Sequence, residues 1–242
     1  MSQLSRRDVG EVVGRLAADD VDRSDRGRLL LRLAALLGGG ARAAGARAAL
    51  SGRWLADLVT EFGPHLPVRD LLTLREHTGG LSGEALAQEL VGRAARVTAG
   101  IGAAAGALAS VEFAAPPTLL AAPVQVTAET LAVVAVELKL VAELHVAYGR
   151  APEGTAAQVA AAYLGSWVTK KGIDPRSGGG LASVLSSAAK AQLRSRLIRR
   201  LGRNLGSLAP FLAGAVAGAE LNRRETRGLG TCLIESLSTP AR

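Results

Sequence analysis

The sequence has a single cysteine, Cys232, and aromatic side chains make up only 3% of its 242 residues. One cysteine excludes an internal disulfide and a metal site built from several cysteines, and it fits a reducing cytoplasm. Because hydrophobic residues nevertheless reach 48%, a core must be built mainly from Ala, Leu and Val. Such a core has close helix contacts and few large anchoring side chains.

Sequence motifs for catalysis and for cofactor binding are also missing. The three histidines and Cys232 have no local partners that would make a nucleophile, a base or a metal site. The run Gly100-Ile-Gly102-Ala-Ala-Ala105 matches the loose dinucleotide fingerprint, but that fingerprint needs a preceding strand, and residues 93–98 continue a helical pattern. The sequence therefore predicts no catalytic residue, no cofactor and no metal, and it disfavours an enzyme.

Strand patterns are nearly absent, and apolar residues recur at helical spacing through most of the chain. Three glycines at 38–40 are expected to end the second helix, and Gly149 is expected to end a long one. The pattern predicts an all-α, multi-helix bundle with a Gly/Ala-rich central hairpin. The predicted helices cover 9–16, 29–36, 54–59, 71–76, 82–99, 97–110, 125–148, 156–169, 181–205 and 210–221.

The chain also lacks a continuous apolar run of about 20 residues, the length that crosses a bilayer. Its most apolar stretch, residues 97–128, has one charged side chain, Glu112, and is interrupted by Pro116-Pro117. The stretch is either the buried centre of a helical domain or a hairpin that dips into a bilayer.

Two small-xxx-small motifs lie in the most apolar segments, one formed by Gly102 and Gly106 and the other by Gly214 and Gly218. Glycines four apart share a helix face, and the missing side chains let two helix backbones approach closely. This packing suits lipid and also a tightly packed soluble core. In either environment we expect the two segments to contact each other.

Several ionisable residues interrupt the apolar segments. Glu112 and Glu129 have apolar neighbours in sequence, and a capping or paired structural role is favoured over a functional carboxylate with a raised pKa. Lys139 and Glu143 are four apart and are expected to pair on the surface of the long helix.

Basic residues exceed acidic ones, with a net charge of +8, which favours anionic partners. From Leu185 to Leu208 there is no acid, and a leucine stripe lies beside a cluster of arginines: Arg196, Arg199, Arg200 and Arg203. Such a helix suits an anionic membrane surface, but it could also pack on a core with a solvated arginine face. Nucleic acid is the least favoured partner, because no recognised nucleic-acid-binding motif accompanies the arginines.

The C-terminal run from Pro210 to Gly230 resembles the closing signature of the EcsC family: a proline, a Gly/Ala-rich apolar helix, Asn222 and Thr226 four apart, and then Leu-Gly. The similarity covers about residues 82–230. It implies a bacterial protein of a family named from an ABC-transporter operon, with no established activity. We interpret Asn222 and Thr226 as structural, with the asparagine bonding backbone groups at a helix kink or end.

Together these patterns predict a single helical domain over 1–242, with residues 1–81 as an N-terminal extension of the EcsC-like region. The favoured function is that of a non-enzymatic cytoplasmic protein, associated peripherally with the inner membrane or with a membrane complex. The alternative is a soluble helical module that binds a small apolar molecule in a cavity lined by Ala and Gly.

Overall fold

The computed structural model describes residues 3–44, 59, 62–63, 66–113, 121–170 and 212–239, and these ranges contain seven helices and no strand. The predicted all-α fold is therefore confirmed for this part of the chain. In chain order the helices are α1 (Gln3–Leu16), α2 (Arg23–Ala44), α3 (Leu71–His77), α4 (Gly83–Phe113), α5 (Ala121–Ala147), α6 (Ala156–Lys170) and α7 (Leu212–Ser238).

Helix α5 lies at the centre of the bundle. Residues 126–144 are buried with the exception of Glu129, and a helix that is apolar on every side needs neighbours on every side. It contacts α1, α2, α3, α4, α6 and α7. Because its buried side chains join those of its neighbours in one hydrophobic cluster, α5 positions nearly every polar group discussed below.

The two N-terminal helices pack on this centre. The predicted stripe of α1 is buried, with Val13 and Leu16 fully enclosed. Leu33 and Leu37 of α2 are also fully buried, and α2 contacts both α4 and α5. Residues before 82 therefore contribute to the same hydrophobic cluster as α4, α5, α6 and α7.

Two helices end in Schellman motifs, as their glycines suggest. After α5, Gly149 has φ +63°, its N–H donates to the Val146 carbonyl, and the Arg150 N–H donates to the His145 carbonyl. After α3, Gly79 has φ +71°, and Gly79 and Gly80 donate to Glu76 and Arg75 in the same pattern. The predicted stop at Gly149 is confirmed.

Other predicted boundaries are wrong. Helix α2 continues through the glycines at 38–40 to Ala44, where Gly38 lies against Val124 of α5. Glycine lowers helix propensity by only about 1 kcal/mol, and tertiary packing overrides that preference. Helix α5 begins at Ala121, with Pro123 in its first turn, where a missing N–H costs no helical hydrogen bond.

Helix α7 is much longer than the apolar segment that predicted it. It runs from Leu212 to Ser238, beyond the predicted end at Leu221, because Leu229, Leu233 and Leu237 continue its buried face. Asn222 and Thr226 consequently lie in the middle of a helix. They do not lie at the helix kink or end that we expected.

Two predicted helices lie wholly or mostly outside the described residues, those over 54–59 and 181–205. Within the described ranges, no helix is both long enough and apolar enough to cross a bilayer.

Candidate functional site

Helices α4 and α7 pack closely against each other through glycines. A Cβ added at Gly102 would lie 2.5 Å from the carbonyl oxygen of Gly218 and 2.6 Å from Asn222 Nδ2. A Cβ at Gly218 would lie 3.0 Å from the Gly102 carbonyl oxygen. Real Cβ atoms essentially never approach as closely as one at Gly102 would, and one at Gly218 would force its neighbour to shift, so glycine at these positions permits the close approach of the two backbones.

A second close contact sets the direction of this helix pair. Gly230 of α7 lies against Val91 of α4, and an added Cβ would overlap the valine side chain. Since Gly218 meets Gly102 while Gly230 meets Val91, the two helices run antiparallel. The predicted contact between the two glycine-containing segments is therefore present.

Three buried polar residues lie beside the glycine contact. Thr98, Asn222 and Thr226 are each at most 1% exposed. The hydroxyl oxygens of Thr98 and Thr226 are 2.9 Å apart across the two helices. Asn222 Nδ2 donates to the Thr98 carbonyl at 3.2 Å and to Glu129 Oε1 of α5 at 3.1 Å.

A buried carboxylate extends this arrangement to a fourth helix. Glu137 of α5 is fully buried, and its Oε2 accepts a hydrogen bond of 2.8 Å from Trp167 Nε1 of α6. Its Oε1 lies 3.5 Å from the hydroxyl of Thr226, which donates to it. We call the six residues the polar core: Thr98, Glu129, Glu137, Trp167, Asn222 and Thr226.

The polar core joins α4, α5, α6 and α7 through side chains. A polar group in an apolar interior is costly unless its hydrogen bonds are satisfied, so only an arrangement that keeps these bonds is stable. Its chemistry is that of a fixed acceptor, the Glu137 carboxylate, held by donors from two other helices. This geometry supports a structural role, in which the hydrogen bonds fix the positions of the four helices relative to one another.

A second buried cluster lies at the other side of α5. Arg69 Nε and Nη2 each donate to one oxygen of Glu143 at 2.8 Å, and Nη1 lies 2.8 Å from Asp19 Oδ2. Lys139 Nζ lies 3.2 Å from Glu143 Oε1 and 3.3 Å from Asp19 Oδ1. We call Asp19, Arg69, Lys139 and Glu143 the ion-pair cluster.

The ion-pair cluster is mostly shielded from solvent. The side chains of Glu143 and Lys139 are 4% and 7% exposed. Hydrogen bonds to Glu143 raise the pKa of the Arg69 guanidinium, and burial opposes that shift. A pocket with room for about one water molecule lies beside the cluster and is also lined by Arg93 and Leu90.

The predicted pairing of Lys139 with Glu143 on the surface of the long helix is therefore confirmed. The pair lies in the interior because Arg69 and Asp19 close over it. Helical spacing alone shows that two charges can meet, but it cannot show that distant residues cover them.

The remaining titratable groups of the described ranges form smaller contacts. His145 Nδ1 lies 2.7 Å from the Val141 carbonyl, and its ring meets Tyr163 edge-on with centroids 5.5 Å apart. Burial lowers the pKa of His145. Within the described ranges no group of three or more His, Cys, Asp or Glu side chains could hold a metal ion.

The structure brings together some of the predicted residues. Gly102, Gly218, Asn222 and Thr226 meet at the α4–α7 contact, while Gly106 and Gly214 lie within the same two helices. The four predicted membrane-surface residues, Arg196, Arg199, Arg200 and Arg203, and the motif residue Pro210 lie outside the described residues.

The sequence interpretation missed Glu137, Trp167 and Arg69. A signal for Glu137 exists, since it stands in a helix whose neighbouring positions are apolar on every side. Arg69 and Trp167 offer no comparable signal, because each meets a residue at least 30 positions away.

No family model matches the sequence, and neither a curated protein nor a solved structure matches it. The resemblance to the EcsC family therefore rests on the C-terminal residues themselves and stays a prediction.

Proposed function

We propose that this chain is a non-enzymatic helical protein that associates peripherally with an anionic membrane surface, or with a protein complex at that surface. The basic segment 185–208, with Arg196, Arg199, Arg200 and Arg203, makes the contact. If the EcsC resemblance holds, the surface is the cytoplasmic face of a bacterial inner membrane.

The distribution of charge carries this proposal. Residues 171–211 contain eight of the 29 basic residues and one of the 21 acidic residues, which gives +7 of the net charge of +8. The rest of the chain is nearly neutral. Attraction to an anionic partner is therefore concentrated in one segment, where leucines at helical spacing add apolar area.

Two described helices, α6 and α7, flank this segment in the chain, and both are anchored in the bundle. Helix α6 ends at Lys170, and Trp167 near that end is fully buried and bonded to Glu137. Helix α7 begins at Leu212, and Gly218 in its second turn contacts α4. Residues 171–211, which include the basic segment, thus connect two helices that the bundle holds in place.

Vesicle sedimentation tests the proposal. The wild type should bind vesicles rich in phosphatidylglycerol at low salt and should leave phosphatidylcholine vesicles unbound. Each arginine near an anionic surface contributes on the order of 1 kcal/mol. Changing Arg196, Arg199, Arg200 and Arg203 together to Gln should then weaken binding by roughly 1000-fold.

A matched variant distinguishes the effect of these four arginines on vesicle binding from the effect of the total net charge. Arg7, Arg32, Arg75 and Arg227 are exposed on four different helices or their flanks, and changing these four to Gln removes the same charge. This variant should keep most of its binding. A wild type that ignores phosphatidylglycerol vesicles at low salt contradicts the proposal and favours the alternative, a module for a small apolar ligand.

A further inference from the structure

Residues 66–80 cross the surface of the bundle as a short strap. They comprise an irregular stretch over 66–70, helix α3 and the turn at 78–80. The backbone hydrogen bonds that these residues make in the described structure stay within residues 63–80. Side chains therefore attach the strap to the rest of the protein.

Three attachments are present along the strap. At its start, Arg69 makes the three contacts to Glu143 and Asp19 described above. In its middle, Leu74 is fully buried in the hydrophobic cluster. At its end, Arg93 Nη2 of α4 donates to the His77 carbonyl at 2.9 Å.

The end held by Arg93 has the properties of a hinge. Gly79 and Gly80 have φ +71° and +85°, a region that residues with a side chain rarely adopt. A Cβ added at either glycine would meet nothing within 4 Å, so no other part of the bundle packs against them, and rotation there breaks only the two hydrogen bonds that close α3. At the opposite end, the contacts that the described residues show are the Leu66 N–H bond to the Gly63 carbonyl, the apolar packing of Leu66 and Leu71, and the Arg69 guanidinium.

The strap covers the Lys139–Glu143 pair. With Arg69 in place, the Lys139 side chain is 7% exposed and its amine lies between two carboxylates. Arg69 and Asp19, with side chains 15% and 27% exposed, are the outer members of the cluster, and withdrawing Arg69 removes both of its hydrogen bonds to Glu143 and its ion pair with Asp19.

We propose that residues 66–80 open as a unit about Gly79-Gly80, that Arg69 is the latch that holds them shut, and that opening uncovers Lys139. This device is independent of membrane association. It gives the fold a buried charged surface that becomes available without unfolding the bundle.

The reactivity of Lys139 toward an amine-acylating ester reports opening directly. The chain has only four lysines, so mass spectrometry can follow each one, and the half-buried Lys170 serves as an internal reference. Changing Arg69→Gln should raise the acylation rate of Lys139 relative to Lys170 by about tenfold or more, because it breaks a buried ion pair. Arg69→Lys keeps the charge but loses the paired N–H donors of the guanidinium, so its Lys139 acylation rate should lie between those of the wild type and of Arg69→Gln.

The matched control is Arg75→Gln, on the exposed side of the same strap. It should leave the Lys139 rate unchanged. An Arg69→Gln protein that is folded by circular dichroism and acylates Lys139 at the wild-type rate overturns the proposal, and so does an equal rise in Arg75→Gln.

Native-state hydrogen exchange of the wild type provides a test that needs no variant. The amides of α3 should exchange through an opening that depends little on denaturant, while buried amides of α4 and α5 exchange only with global unfolding. If the amides of α3 also exchange only with global unfolding, the strap does not open separately and the proposal fails.

Discussion

Glu137 is the residue on which the polar core depends most. Its carboxylate is fully buried, and it accepts hydrogen bonds from Trp167 and Thr226, on two different helices. Placing a carboxylate in an apolar interior is costly, and the donors around it offset that cost only while the helices keep their positions. The hydrogen bonds of Glu137 therefore depend on the positions of α6 and α7 relative to α5.

Changing Trp167→Phe tests this dependence. The phenyl ring keeps most of the buried area, but the Nε1–H donor to Glu137 is lost. Leaving a buried acceptor without this bond should lower the free energy of unfolding by about 1–3 kcal/mol, measured by urea denaturation.

Tyr163→Phe on the same helix is the matched control, because it removes a hydroxyl group from a partly exposed ring. It should change stability much less. Equal losses in the two variants would show that the tryptophan acts through packing alone.

At this scale the sequence predicts only part of the site. Asn222 and Thr226 were recognisable from the family resemblance, and both are buried at a helix contact. Their partners were not predictable, since Thr98 lies 124 positions from Asn222 and 128 from Thr226. Helical periodicity indicates which face of a helix is buried, but it carries no information about which distant residue lies opposite.

Among the helices, the antiparallel pair α4 and α7 is the most closely packed. Gly102 meets Gly218 through their backbones, and Gly230 meets the side chain of Val91. Glycine is unfavourable inside a helix, so its presence at these contacts is explained by the close approach that it permits.

Replacing Gly230→Ala should therefore destabilise the protein although alanine favours helix. The added methyl would overlap Val91, whose β-branched side chain has little freedom to move. Overpacking of this kind costs about 1–3 kcal/mol and should lower the melting temperature.

Gly228→Ala is the matched control, two positions away on the exposed side of α7, where an added Cβ meets nothing within 4 Å. It should leave the melting temperature unchanged or raise it slightly. Gly102→Ala should behave like Gly230→Ala, because its Cβ would overlap the backbone of Gly218. If the three changes have the same effect, the glycines do not determine the packing.

The sequence predicted which helices exist better than where they end. The small-xxx-small motifs predicted the contact of two segments, because glycine spacing has a direct steric consequence. The glycines at 38–40 misled the prediction, because packing of α2 on α5 outweighs local propensity. The prediction for α7 is too short because its second half mixes polar and charged residues with apolar ones, although the buried apolar ones share one face.

The whole molecule combines a nearly neutral helical frame with one strongly basic segment. Residues 171–211 hold +7 of the net charge of +8, and they connect two helices that the bundle fixes. Long-range attraction is screened over about 8–10 Å at moderate salt, so a concentrated charge acts at a surface more effectively than a dispersed one. The proposed peripheral association requires this distribution, in which one segment holds nearly all of the net charge and the rest of the chain is nearly neutral.

Fractionation of cells that express the chain tests the peripheral association most directly. After gentle lysis at low salt the protein should sediment with membranes, and a sodium carbonate wash should release it, because the attachment is electrostatic and shallow. The variant with all four arginines of the segment changed to Gln should remain in the supernatant. A wild type found entirely in the first supernatant, or retained in the pellet after carbonate, would contradict the account.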